Sequence, residues 1–187
     1  VLTNNENRML RKREKIVKLV DFFNDKDDAS DIRKGIAYVH FYENRHSDPS
    51  YLIKAGVLLN KGLERLPNHI EGNYNIGRAY QLQGNKMKSI VLYKKVIQLD
   101  PNHMWSLYQL GKLYLYDDTQ QSLSYFLRAI NLNMDNAKVW KEYGDALLLT
   151  ENIKEAKRAY RRAIKIDPYF VTAYNKIGEL ELYKNSD

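Results

Sequence analysis

The 187-residue chain contains no cysteine, which excludes disulfides, thiolate zinc sites and cysteine nucleophiles. No run approaches the roughly 18 apolar residues that span a bilayer. Val1 opens the chain with no basic-then-apolar export pattern. A start at Val instead of Met reads as a trimmed or processed end, so a removed N-terminal anchor, and membrane association through it, stay open. No Gly-rich phosphate loop, nucleophile elbow or paired-carboxylate signature occurs. Catalysis has no visible machinery, so the chain is read as a non-enzyme with no cofactor, metal or small-molecule substrate. Tryptophan and phenylalanine are scarce, at two and five, whereas tyrosine reaches fifteen. That balance suits half-buried sites where a ring packs and its hydroxyl stays wet.

What is present is enough for a folded core: 44% of the residues are hydrophobic. Thirty basic against 23 acidic residues leave a net charge of +7, a mixed surface that permits an acidic partner without demanding one. The organising feature is a repeat. Gly77, Gly111, Gly144 and Gly178 recur at intervals of 34, 33 and 34 residues, and Pro67, Pro101 and Pro168 keep the same step. Aligned from Ile70, Met104, Ala137 and Val171, the units share a large residue (Leu107, Trp140, Tyr174; Asn73 departs), then a large residue followed by Gly. Tyr80, Tyr114 or Leu147 follows three residues later, completing an apolar stripe at helical spacing. A second stripe runs small, large, small: Ser89, Tyr93, Val96; Ser122, Phe126, Ala129; Ala156, Tyr160, Ala163. Asp100-Pro101 and Asp167-Pro168 close it, because proline cannot continue a helix. Each unit is therefore a pair of antiparallel helices, with the Gly small where the second helix crosses closely.

These residues resemble the tetratricopeptide repeat (TPR), whose pattern is a large residue, Leu-Gly, Tyr, then Ala, an aromatic, Ala and a terminal Pro. The resemblance covers residues 70–183 and implies an all-α fold, a right-handed superhelical solenoid of antiparallel helix pairs. It divides the chain into a degenerate first repeat at 31–69, repeats at 70–103, 104–136 and 137–170, and a capping helix at 171–187. Met134 stands in place of the terminal Pro of the 104–136 unit. In the degenerate unit the second helix keeps Ala55, Leu59 and Gly62 in register, while the first, around Asp31 to Arg45, is read as lacking the crossing Gly. Residues 1–30 read as a lone helix, with Met9, Ile16, Val20 and Phe23 on one stripe, followed by an acidic linker.

The resemblance also implies a function, binding of another protein or a peptide segment, in a concave groove lined by the first helices. Positions carried over from the family assign Tyr74, Arg78 and Gln81, then Trp105, Tyr108 and Lys112, then Lys138, Lys141 and Asp145. Trp105 is the sharpest of these, since an accessible Trp beside Tyr and Lys has the composition of a binding hot spot. A chaperone-tail carboxylate clamp is not supported: Asn44 and Asn75 fit, but His40, Trp105 and Gln109 stand where Lys, Lys and Arg belong. His69 and His103 lie in two copies of Pro-Asn-His, which makes them turn residues and not catalysts.

Two other readings stay in view. One is structural assembly or self-association, a homo-oligomer included, through the N-terminal helix (six basic residues from Arg8 to Lys18 against Glu14) and the convex face. The weaker one is nucleic-acid or anionic-surface binding by the ladder Lys61, Lys95, Arg128 and Arg162, disfavoured because no aromatics interleave it. Abundant Lys, Asn, Ile and Tyr fit an AT-rich bacterial genome, with cytoplasm and membrane-anchored periplasm both open.

Overall fold

The computed structural model describes residues 27–45, 48–132 and 136–184, with only the backbone at Arg45, Tyr183 and Lys184. Among these residues there are nine helices and no strand: α1 (Ser30–Arg45), α2 (Ser50–Arg65), α3 (Ile70–Leu82), α4 (Lys86–Leu99), α5 (Met104–Tyr114), α6 (Thr119–Asn131), α7 (Ala137–Leu149), α8 (Ile153–Ile166) and α9 (Val171–Lys184). They fall into two compact units, 1–95 and 96–187, with the boundary inside α4. The helix expected over Glu6 to Asn24 and the substitution at Met134 lie outside the described residues.

Local chemistry explains where the helices begin. Asp118, Asn136 and Asn152 accept a hydrogen bond from a backbone N–H in the first turn of α6, α7 and α8. His69 and His103 do the same for α3 and α5, each offering Nδ1 to the N–H three residues on, at 3.1 and 3.2 Å. Each cap satisfies a donor that the helix cannot satisfy itself. The turns between repeats are also built alike. Asp100 Oδ1 accepts from Asn102 N and Asp167 Oδ1 from Tyr169 N, both at 3.0 Å, holding the chain around the following Pro.

In unit 1 the core joins Ile32 and Val39 of α1, Leu52, Ala55 and Leu59 of α2, and Ile76 and Ala79 of α3. At Gly77, a Cβ would stand 3.0 Å from Tyr93 Cε1, the close crossing expected of the repeat. The degenerate repeat corrects one expectation: its first helix does carry a crossing glycine. A Cβ on Gly35 would lie 2.6 Å from Leu59 Cγ. Gly35 precedes Leu59 by 24 residues, whereas Gly77 precedes Tyr93 by 16, so the 34-residue frame points to Glu43 and passes over it.

In unit 2, Phe126 and Tyr160 are fully buried against Gly111 and Gly144. Two apolar clusters follow, one around Leu107, Phe126, Ala129 and Val139, the other around Leu147, Ala156, Tyr160 and Ala173. Gly178 differs: among the described residues, nothing beyond its own helix backbone lies within 4 Å of where its Cβ would be.

Candidate functional site

In unit 1 the three residues expected at the site converge on Tyr93. The Tyr74 and Tyr93 rings are 5.7 Å apart, and the Tyr93 hydroxyl donates to Gln81 Oε1 at 2.7 Å. The Arg78 guanidinium lies 5.7 Å over the Tyr74 ring and forms an ion pair with Glu43. Glu43 gathers opposing influences: burial pushes its carboxyl up, but hydrogen bonds and charge from His40 and Arg78 outweigh it and hold the group below its ordinary value. Tyr74 is 7% exposed, so it supports the surface more than it forms it. Burial also pushes the Tyr93 hydroxyl far above an ordinary tyrosine, keeping it a neutral donor.

In unit 2 the expected residues form two groups. On α5, the exposed Trp105 meets the buried Tyr108 edge-on at 6.1 Å, and Lys112 Nζ sits 5.6 Å over the Tyr108 ring. Beneath them the Tyr108 ring leans on Phe126 at 6.1 Å, so a core aromatic fixes the platform. On α7, Lys141 pairs with Asp145 at 2.6 Å, one helical turn on, and Asp145 also accepts from the Tyr160 hydroxyl at 2.8 Å. Burial and the Asp145 contact raise the Tyr160 hydroxyl well above its usual value. Lys138 stands exposed at the start of α7.

The pairings sort the cations. Arg78 and Lys141 are already neutralised within the chain, by Glu43 and Asp145. Among the described residues no acidic side chain pairs with Lys112, which sits over the Tyr108 ring, or with the exposed Lys138. Asn75 is buried and donates to the Glu71 carbonyl at 2.9 Å, turned inward.

The ladder on the second helices has structural employment. Lys61 pairs with Asp31 at 3.3 Å; Lys95 and Arg128 donate to the Pro67 and Pro101 carbonyls at 2.6 and 3.3 Å; Arg162 lies 5.9 Å over the Trp140 ring. Two rungs thus clasp the preceding inter-repeat turn. Sequence reasoning missed Glu43, because its helix is out of frame. It also missed the hydroxyls of Tyr93 and Tyr160, because their rings were assigned to the core and their polar ends were not followed. Among the described residues, no group of three His, Asp or Glu is placed to hold a metal, and no helix is long and apolar enough to cross a membrane.

Family models of the tetratricopeptide repeat match residues 70–103, 92–122 and 137–170. A search of curated proteins finds no match. Solved structures are more informative. The crystal structure of MamA is 28% identical, with a TM-score of 0.68 over 73% of this chain and 80% of that one. MamA from Desulfovibrio magneticus RS-1, residue 41 to the end, is 21% identical, with a TM-score of 0.67 over 79% of this chain and 86% of that one. YrrB, described as a TPR protein with an unusual peptide-binding site, is 19% identical, with a TM-score of 0.69 over 91% of this chain and 84% of that one. With Gly77, Gly111 and Gly144 at helix crossings and three segments matched by the repeat models, the chain is a tetratricopeptide-repeat protein, an all-α protein-interaction scaffold.

Proposed function

We propose that the chain holds an extended or helical segment of a partner protein against its first helices, and performs no catalytic step. Trp105 is the anchor, and Lys112 and Lys138 favour a segment bearing carboxylates. The observation that carries this reading is Trp105 itself: 45% exposed, yet steadied by Tyr108 and through it by the buried Phe126. A rigid, accessible aromatic beside a cation is what an interface anchor needs, because little side-chain entropy remains to be lost on binding. Within unit 2, Lys141 with Asp145 belongs to the same proposed surface; within unit 1, Tyr74, Arg78 and Gln81 form the proposed surface of that unit, and each set is held in shape by its internal bonds. The peptide-binding site described for YrrB supports a peptide as ligand for this fold.

The test is capture from the source organism's lysate on the full chain, beside a Trp105→Ala, Lys112→Ala double variant whose helix content matches. Tyr74 and Tyr108 are unsuitable for truncation because both are core. Loss of an anchor of about 2 kcal/mol weakens binding roughly thirty-fold, so a partner should be retained by the unmutated chain alone. A Trp105→Phe variant should keep part of it. Equal retention by the double variant would remove the reading.

A further inference from the structure

The fourth position of the first helix reads Asn73, Leu107, Trp140 and Tyr174 along the repeats, and only Asn73 is small and polar. In unit 2, Trp140 packs beside the Ala156, Ala159 and Tyr160 cluster with Arg162 over its ring. In unit 1, Asn73 cannot fill the same space. Its Nδ2 donates to the Pro67 and His69 carbonyls, both at 2.9 Å, which folds the side chain back onto its own inter-repeat turn. An open pocket of about 460 Å³ is left between α2, α3 and α4. That volume is within the roughly 300–1,000 Å³ typical of small-ligand sites.

The pocket's chemistry is selective. Leu63, Ile76 and Leu92 line it, and Met87 and Val91 form an apolar rim, 72% and 65% exposed. The corresponding rim positions are polar in unit 2, Gln120 and Ser124 in α6 and Lys154 and Arg158 in α8, whereas α2 carries exposed Ile53 and Val57, so the apolar rim is a feature of unit 1 and not of every repeat. Lys88 sits 5.0 Å over the Tyr80 ring, and Lys95 occupies the place that Arg162 holds over Trp140. No carboxylate lines the pocket.

We propose that this pocket receives a bulky aromatic side chain carried on an acidic segment of a partner protein, the incoming ring taking the place that Trp140 takes within unit 2. The two lysines and the absence of acidic lining select a negatively charged flank. The chain's own Arg8-to-Lys18 run has the wrong sign for that role, and so does a second copy carrying +7. A lipid surface would meet a recess instead of a protruding apolar edge. The site uses none of the α5 and α7 residues, so it stands or falls independently of the surface around Trp105.

The experiment is a titration of the full chain with 3-methylindole and with 3-indolepropionate, followed by methyl NMR of Ile76, Met87 and Val91. Both probes should give saturable shifts at these methyls, with 3-indolepropionate binding several-fold tighter and losing that advantage in a Lys88→Gln, Lys95→Gln variant. Asn73→Trp, which fills the pocket from within, should weaken both probes at least ten-fold without lowering the melting temperature. Should that variant fail to fold, Val91→Glu on the exposed rim should reduce binding comparably. Absence of saturable shifts, or shifts unchanged in the pocket variants, would overturn the assignment. So would binding of phosphatidylglycerol vesicles, or dimerisation, that Val91→Glu abolishes while the indoles leave the spectra unmoved.

Discussion

Alanine in place of Gly144 and of Gly178 should change stability in opposite directions, although both glycines hold the same place in the repeat. A Cβ at position 144 would stand 2.6 Å from Cε1 and 2.9 Å from Cδ1 of Tyr160. That ring is fully buried, and its hydroxyl is tied to Asp145 at 2.8 Å, so it cannot swing aside without breaking a bond. Overpacking of this kind costs about 1–3 kcal/mol, against roughly 1 kcal/mol recovered from the better helix propensity of alanine. With two ring atoms inside 3.0 Å the cost falls in the upper half of that range, so Gly144→Ala should lose about 1–2 kcal/mol. At 178 no described atom beyond the helix's own backbone lies within 4 Å, so only the propensity gain remains, about 1 kcal/mol at most. Urea unfolding followed by far-ultraviolet circular dichroism measures both. The reasoning fails if Gly144→Ala is as stable as the unmutated chain, or if Gly178→Ala is the less stable of the two.

His69→Ala should cost about 1 kcal/mol through loss of the α3 cap, while His69→Asn should restore it, as thermal melts would record. Glu151 sits at φ 58° in the turn where the 70–103 repeat has Gly84 at 78°; Glu151→Gly should raise stability by about 1 kcal/mol, measured in the same melts. Asp31 is held below the usual carboxylate range by its hydrogen bond to Arg65, with Lys61 adding, and Glu43 is lowered by His40 and Arg78 against its burial. Both folded values are depressed, so the stability they supply is present above the unfolded carboxylate value of about 4 and is lost as pH falls through the folded ones. The urea midpoint should drop in that acid window, and drop less in the Asp31→Asn and Glu43→Gln variants. In an alkaline absorbance titration Tyr93 and Tyr160 should ionise last, and Tyr160→Phe should remove one late step.

The repeat was legible because a solenoid writes its contacts at fixed spacing: a small residue at 77, 111 and 144 must face a ring at 93, 126 and 160, and both members of each pair keep the period. Gly35 escaped because the first pair has eight more residues between its glycine and Leu59, and a frame set by the later repeats cannot see a longer connection. His69 and His103 were readable as turn residues. Their capping role was not, since histidine is outside the usual set of capping residues and only the Nδ1 geometry reveals it. Along α3 and α5, family positions placed Tyr74 and Tyr108 beside Arg78 and Lys112, yet the depth of each ring depends on neighbours that sequence spacing does not encode. The pocket beside Asn73 was visible as a departure from the pattern. Its consequence was not, because an amide of that size could as well have been matched by a larger neighbour across the helix pair.

Site-specific photo-crosslinking tests the central claim most directly. A crosslinking residue would be placed at position 105 or 138 on the first helices, and at position 124 or 158 on the second, with each folded chain irradiated in lysate of the source organism. A partner-protein adduct formed from 105 and 138 and absent from 124 and 158 is the predicted result; adducts from 124 or 158 alone would contradict it.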